Sequence, residues 1–197
     1  PNKVYLDFSL CFTAPKKLRS ECLFDCLSHA VETFISKKAS LKVKKRSIKV
    51  IRNILNLNYK KIDILKNQKI ISESSYLMGK NLVESTTCLP HRIQYSLSKF
   101  SKCTHAQGII SIYKGWIPKI KKNKSFFTLQ KTLNQKNNLA NQIMNFKKEM
   151  KINYNLKNFN ITKKYFNKIT QSTSGTLEND PIYKNKLDIK EILEQSI

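Results

Sequence analysis

Hydrophobic positions along most of the chain recur every three or four residues, the period of an amphipathic helix. The first such stretch has an apolar stripe made of Leu23, Leu27, Ala30, Val31 and Phe34. The pattern predicts helices over residues 15–36, 41–55, 64–83, 90–100, 105–117, 125–133, 138–151, 161–171 and 187–197. Strand-like alternation occurs only at residues 4–8, which favours a short strand or an extended connector there. The sequence therefore predicts a nearly all-α domain.

Several residues indicate where these helices begin, end or meet. Pro15 suits the first turn of the first helix, and Thr104 is a candidate N-cap for the fifth. Pro118 is expected to close the fifth helix, because proline lacks a backbone N–H. Gly79, inside the third helix, either permits close approach of another backbone or marks a weak point.

Composition limits the function classes. The 197 residues are 40% hydrophobic, enough to bury a core, and carry a net charge of +24. Only four of the 37 basic residues are arginines, the residue that specific nucleic-acid readers favour, so the charge is a diffuse lysine field. We expect no specific nucleic acid and no membrane as partner. The alternative function is a basic helical module without catalysis that binds nucleic acid or an anionic surface, through lysines such as those at residues 119–124.

The five cysteines form no CxxC pair, and their odd number cannot make a closed disulfide framework. Reduced thiols and a cytoplasmic location are expected. Cys22 and Cys26 are interpreted as small buried residues rather than zinc ligands. No apolar run approaches the ~20 residues of a membrane span.

Candidate chemistry lies on the polar side of the first helix. Asp25 and His29 are four residues apart, so their side chains are neighbours, opposite the apolar stripe. Such a pair is often a simple intrahelical contact, but the chain has only two other histidines, His91 and His105. Three imidazoles and one carboxylate make a complete ligand set for Fe²⁺ or Zn²⁺. A helical phosphohydrolase with an adjacent His-Asp pair is disfavoured, because no histidine here precedes an aspartate.

The residues resemble a known family. The octapeptide DCLSHAVE at residues 25–32 is similar to the D-A-L-x-H-A-x-E helix of the iron-containing (group III) alcohol dehydrogenases. His91 and His105, fourteen residues apart, and the turn at residues 179–181 also resemble that family. The resemblance implies its C-terminal helical metal-binding domain at residues 15–197, after a connector at residues 1–14 from a missing α/β nucleotide-binding domain. It implies four metal ligands: Asp25, His29, His91 and His105.

The same resemblance implies a function, a metal-dependent NAD(P)-linked alcohol dehydrogenase or aldehyde reductase. The metal would act as a Lewis acid on a carbonyl while NAD(P)H supplies hydride. The four glycines here form no phosphate loop, so NAD(P)H would be bound mainly by the missing domain, without which the fragment is expected to be inactive. A homodimer is also expected.

Tyr95 stands where many members of that family have a further histidine near the substrate, so it is the candidate catalytic residue. Tyrosine at this place resembles the branch that includes phosphonoacetaldehyde reductases. Arg92, Lys99 and Lys102 are then candidate contacts for a phosphonate group. A plain short-chain aldehyde or alcohol fits equally well.

Overall fold

The structure, a computed structural model, describes residues 3–59, 65–134 and 138–197. In these ranges the α-helices are α1 (Lys16–Ile35), α2 (Leu41–Leu55), α3 (Leu65–Glu84), α4 (Leu89–Leu97), α5 (His105–Ile120), α6 (Lys124–Leu133), α7 (Leu139–Glu149), α8 (Lys163–Ser172) and α9 (Lys186–Gln195). Short 3₁₀ helices cover Phe8–Thr13, Leu156–Phe159 and Leu177–Asn179. No described residue lies in a strand, which confirms the all-α prediction.

At residues 4–8 the sequence left a short strand or an extended connector open. No strand forms there: residues 4–7 have no regular secondary structure, and a 3₁₀ helix starts at Phe8. The predicted end of the fifth helix was wrong. Pro118 does not end α5, which continues to Ile120. Near a helix end, Pro118 removes only one backbone hydrogen bond, and the buried side chain of Ile120 keeps the last turn packed. The third helix was predicted from Ile64, which lies outside the described residues.

α1 and α5 form the centre of the fold. α1 packs against α2, α3 and α5, while α5 also packs against α4 and α9. All five residues of the predicted α1 stripe are buried. The largest buried side chains include Trp116 and Tyr113 of α5 and Phe24 of α1. This arrangement holds the first turn of α5 beside the polar side of α1.

The close helix contact that the sequence suggested at Gly79 lies elsewhere. A Cβ added at Gly79 would meet nothing within 4 Å, so that glycine is not a packing requirement. A Cβ at Gly115 would lie 2.0 Å from the carbonyl oxygen of Ile192. Gly115 is therefore the residue that allows α5 to approach α9.

All five cysteines are free thiols, but the prediction that Cys22 is buried was wrong. Cys26 is buried as expected, whereas Cys22 is exposed, because it lies on the same face of α1 as the exposed Leu18, four residues before it. Among the described residues, no helix has the length and hydropathy that crossing a lipid bilayer requires.

Candidate metal centre

The four predicted ligand side chains meet at one place. Asp25 and His29 come from α1, His91 from the first turn of α4, and His105 is the first residue of α5. One potential ligand atom from each residue lies within 4.8 Å of the other three. The Nε2 atoms of His29 and His91 are 3.2 Å apart. Asp25 Oδ1 lies 3.4 Å from Nε2 of His91 and 3.7 Å from Nε2 of both His29 and His105.

The four distances of 3.2–3.7 Å are close to those around a divalent transition metal, and the other ligand atoms, within 4.8 Å of one another, would draw together around an ion. A tetrahedral ion with bonds of about 2.0–2.2 Å holds its ligand atoms about 3.3–3.6 Å apart. Asp25 Oδ1 is buried and has no hydrogen-bond partner among the described residues. A buried carboxylate oxygen without a partner is costly, and a cation shared with the three imidazoles would remove that cost.

The start of α4, which carries His91, is held by residues from distant parts of the chain. Its N-cap residue, Cys88, makes no side-chain cap. Instead Glu32 Oε2 accepts a hydrogen bond from the N–H of Cys88 (2.8 Å), and Asp180 Oδ2 accepts one from the N–H of Leu89 (2.9 Å). Both carboxylates are fully buried. Their negative charge also complements the positive end of the α4 dipole.

Glu32 also orients the imidazole of His91. Both carboxylate oxygens of Glu32 lie 2.9 Å from Nδ1 of His91, and Oε1 accepts a further hydrogen bond from the Tyr113 hydroxyl (3.1 Å). Because a carboxylate can only accept, Nδ1 of His91 carries the proton that it donates. The Nε2 of His91 is thereby presented to Asp25 and His29, as metal-binding histidines require.

Gln94 has the same relation to His105. Its Oε1 accepts a hydrogen bond from Nδ1 of His105 (2.7 Å), so Nε2 of His105 is turned toward Asp25. Gly108 leaves the space for Gln94, since a Cβ there would lie 2.8 Å from Gln94 Cγ. Nδ1 of His29, in contrast, is buried with no hydrogen-bond partner in the described part of the chain.

The three histidines of the cluster differ in the direction in which their pKa is shifted. Burial lowers the pKa of His91, but the charges of Glu32 and Asp25 outweigh burial and raise it to about 9. Burial, and then the neighbouring His91, lower the pKa of His29 to about 4. Burial also lowers the pKa of His105. His29 and His105 are therefore neutral near pH 7, the form that binds metals.

Asp25 behaves as the anionic member of the cluster. Burial alone would raise the pKa of its carboxyl group, but the adjacent imidazoles outweigh burial and hold the pKa below its ordinary value. The cluster combines one carboxylate with the neutral imidazoles of His29 and His105, and His91, whose pKa is about 9, would release its Nε2 proton when a metal binds. The resulting donor set suits Fe²⁺ or Zn²⁺.

Tyr95 lies at the open rim of the cluster. Its ring stacks on His105, with centroids 5.8 Å apart and planes at 22°, and the residue is 49% exposed. Arg92, one of the candidate phosphonate contacts, is held by two threonines. Nη2 of Arg92 donates to the hydroxyls of Thr86 and Thr176. Lys99 and Lys102 line a surface groove of about 700 Å³ that includes none of the four ligand residues.

Sequence reasoning missed the supporting residues Glu32, Gln94, Tyr113 and Asp180. Glu32 and Asp180 appeared only as letters of a family pattern, without a role. A signal existed for Gln94, which follows His91 by three residues and so lies on the same side of α4. Glu32 and Asp180 contact α4 across 56 and 91 residues, which local periodicity does not reveal.

Comparison with known proteins extends this description. The structure is similar to a 1,3-propanediol oxidoreductase, with a TM-score of 0.87, 18% identity, and coverage of 97% of this chain and 55% of that one. An iron-containing alcohol dehydrogenase from Thermotoga maritima gives a TM-score of 0.80 at 19% identity, covering 97% of this chain and 52% of its own. A sulfoacetaldehyde reductase from Bifidobacterium kashiwanohense, solved with NAD⁺, gives 0.84 at 16% identity, with 95% and 52% covered.

These likenesses establish the fold, and the chain spans about half the length of the solved proteins it matches. No curated protein matches the chain. A sequence model described as "Fe-containing alcohol dehydrogenase family, C-terminal" matches residues 21–197, which include all four clustered residues. The chain therefore belongs to the Fe-containing alcohol dehydrogenase family, and it matches the C-terminal part of that family.

Proposed function

We propose that the cluster binds one divalent metal ion, Fe²⁺ or Zn²⁺, and serves an NAD(P)-linked alcohol dehydrogenase or aldehyde reductase. The observation that carries the proposal is Asp25 Oδ1, which is buried, lacks a hydrogen-bond partner in the described ranges, and faces three Nε2 atoms at 3.4–3.7 Å. Family membership supports the class of reaction. The proposed ligands are Asp25, His29, His91 and His105.

The residues of this chain determine the character of such a centre. A bound divalent cation supplies Lewis-acid polarisation of a carbonyl oxygen. The Asp25 carboxylate neutralises one of the two positive charges of the cation, and the neutral His29 and His105 add none. The remaining positive charge favours the negative charge that develops on a substrate oxygen. The His105 side chain is 41% exposed while His91 is fully buried. Substrate therefore approaches from the His105 side, where Tyr95 stacks.

We assign Tyr95 to contact with the substrate at this open side. The substrate class is a short-chain aldehyde or alcohol, with phosphonoacetaldehyde a specific candidate because of the resemblance at Tyr95. Arg92 offers limited support for a phosphonate, since its guanidinium already donates to Thr86 and Thr176.

NAD(P)H supplies the hydride. It is bound mainly by residues outside this chain, because this chain contains no glycine-rich phosphate loop. The cytoplasmic location and the homodimer stay predictions.

Elemental analysis tests the metal centre directly. The chain, reconstituted with Fe²⁺ without oxygen or with Zn²⁺ and then desalted, is expected to hold about one ion per molecule. Asp25→Ala is expected to lose the ion while its far-UV circular dichroism stays helical. Glu178→Ala, which removes an exposed carboxylate elsewhere, is the matched control and should keep the ion. A folded wild-type chain that retains no Fe²⁺ or Zn²⁺ would contradict the proposal.

A further inference from the structure

Behind His91, on the side away from Asp25, lies a buried carboxylate with several partners. Glu32 is 0% exposed, and its oxygens accept hydrogen bonds from His91, Tyr113 and the N–H of Cys88. Its ion-pair partner among the described residues is the imidazole of His91. Burying a carboxylate is expensive, so this placement calls for a role that an apolar side chain could not fill.

The three imidazoles differ in what supports them from behind. His91 Nδ1 faces the charged Glu32, His105 Nδ1 faces the neutral amide of Gln94, and His29 Nδ1 has no partner in the described part of the chain. A carboxylate that accepts the outer N–H of a histidine fixes its tautomer and makes the other nitrogen a stronger base. An amide oxygen fixes the tautomer but adds no charge. His91 is thus the best supported of the three.

We propose that Glu32 is a positioning residue that fixes His91 as a metal ligand and sets the metal affinity of the centre. The inference rests on the proposed function and deepens it. Glu32 acts through His91, since the imidazole separates its carboxylate from the ligand atoms.

The same carboxylate links three helices at the centre. Glu32 belongs to α1, its hydrogen bond with the Cys88 N–H holds the start of α4, and Tyr113 belongs to α5. A shift of α4 relative to α1 would break the contacts to Cys88 and His91 together. Glu32 therefore contributes both to the orientation of the His91 ring and to the position of its helix, which Asp180 also holds through the N–H of Leu89.

The test is the affinity of the 197-residue chain for Zn²⁺, measured by competition with a chromophoric chelator. Glu32→Gln keeps the size of the side chain but removes its charge and one acceptor oxygen. It is expected to weaken Zn²⁺ binding about 10–100-fold, the usual effect of losing an outer-shell carboxylate. Tyr113→Phe is the matched control, because it removes one donor to Glu32 and leaves the His91 contact intact. Its affinity should stay close to that of the wild type.

A second readout separates ligand positioning from general stability. The visible absorption of bound Co²⁺ reports the ligand arrangement, and it should change in Glu32→Gln and stay the same in Tyr113→Phe. Wild-type Zn²⁺ affinity and an unchanged Co²⁺ spectrum in a folded Glu32→Gln chain would overturn the inference and leave the metal centre standing. A wild-type chain that binds neither ion would instead overturn the proposed function itself.

If Glu32→Gln does not fold, Glu32→Asp decides the matter. This variant keeps the charge but withdraws it from His91 by one methylene group, so Zn²⁺ affinity should fall while the helical circular dichroism is retained. Unchanged affinity in a folded Glu32→Asp chain would overturn the inference.

Discussion

Two charged side chains are completely buried in different parts of the molecule, and their surroundings differ. Asp180 lies beside the start of α4 and accepts hydrogen bonds from the backbone N–H groups of Leu89 and Ile182 and from Nε1–H of Trp116. Lys147, on α7, donates to the carbonyl oxygen of Ile110, the hydrogen bond that the described residues provide for its ammonium group. An ammonium has three protons to donate, so Lys147 is poorly satisfied and Asp180 is well satisfied.

Burial disfavours the charged form of both groups. It raises the pKa of Asp180 to about 6, against the opposing effect of the three hydrogen bonds. Burial, together with the nearby Lys114, lowers the pKa of Lys147 to about 8. Removing Asp180 is nevertheless expected to lower the free energy of unfolding, and removing the Lys147 ammonium to raise it. Without Asp180 two buried donors, the N–H of Leu89 and Nε1–H of Trp116, and the partly buried N–H of Ile182 lose their acceptor. The Ile110 carbonyl, in contrast, lies inside α5, whose backbone supplies its own donor.

Asp180→Ala is expected to produce the largest change. Each of the two buried donors left without an acceptor costs about 1–3 kcal/mol, so the free energy of unfolding should fall by about 2–6 kcal/mol. Urea unfolding followed by circular dichroism measures it. Glu194→Ala, which removes an exposed carboxylate from α9, is the control and should stay close to wild type. An Asp180→Ala chain with an unchanged midpoint would show that these hydrogen bonds do not hold α4.

Lys147→Met is expected to stabilise the chain. Methionine fills a similar volume without a buried charge, and the shift of the lysine pKa from 10.5 to about 8 corresponds to about 3 kcal/mol. We expect a gain of about 1–3 kcal/mol near pH 7 in the same urea experiment, since repacking offsets part of the benefit. Lys148→Met removes a neighbouring exposed lysine and controls for the lower net charge. If Lys147→Met and Lys148→Met changed the free energy of unfolding equally, the burial of the Lys147 charge would not be costly, and the contrast with Asp180 would be wrong.

The pH dependence sharpens the same prediction. The pKa of Lys147 is lower in the folded chain than the ordinary 10.5, so the cost of burying its charge is complete below about pH 8. As the pH rises from about 8 to 10.5, the folded chain loses this proton before the unfolded chain does, and the cost disappears. The stability difference between Lys147→Met and wild type should therefore shrink over that window. A constant difference would show that folding does not lower the pKa of Lys147.

The sequence predicted the helices because they depend on local spacing, and it predicted the four clustered residues because they resemble a family pattern. Asp25 and His29 share a helix face, and the histidine intervals match a family pattern. Asp180 could not be assigned a role in this way, because its contact with Leu89 spans 91 residues. The burial of Lys147 carried a local signal, since it follows the buried Ile143 by four residues and so lies on the apolar side of α7. The high lysine content concealed that signal.

The smallest expected effect compares the N-caps of two helices, one at the metal centre and one distant from it. Thr104 caps α5 with its side chain, accepting from the N–H of Gln107 (3.3 Å), and the Gln107 side chain accepts from the N–H of Thr104 (3.1 Å). Thr162 is the N-cap of α8, but its side chain makes no capping hydrogen bond to the described residues of that helix. Thr104→Ala should cost about 1 kcal/mol in urea unfolding, and Thr162→Ala only a fraction of that.

Thr104→Ala should also affect the centre, because His105 is the first residue of α5 and depends on that cap for its position. The hydrogen bond from His105 to Gln94 remains in this variant and limits the displacement of the ring. Zn²⁺ affinity should therefore fall less than in Glu32→Gln, and it should not change in Thr162→Ala. If Thr104→Ala weakened Zn²⁺ binding as strongly as Glu32→Gln does, the start of α5 would matter as much as the charge behind His91, and the graded support of the three imidazoles would be wrong.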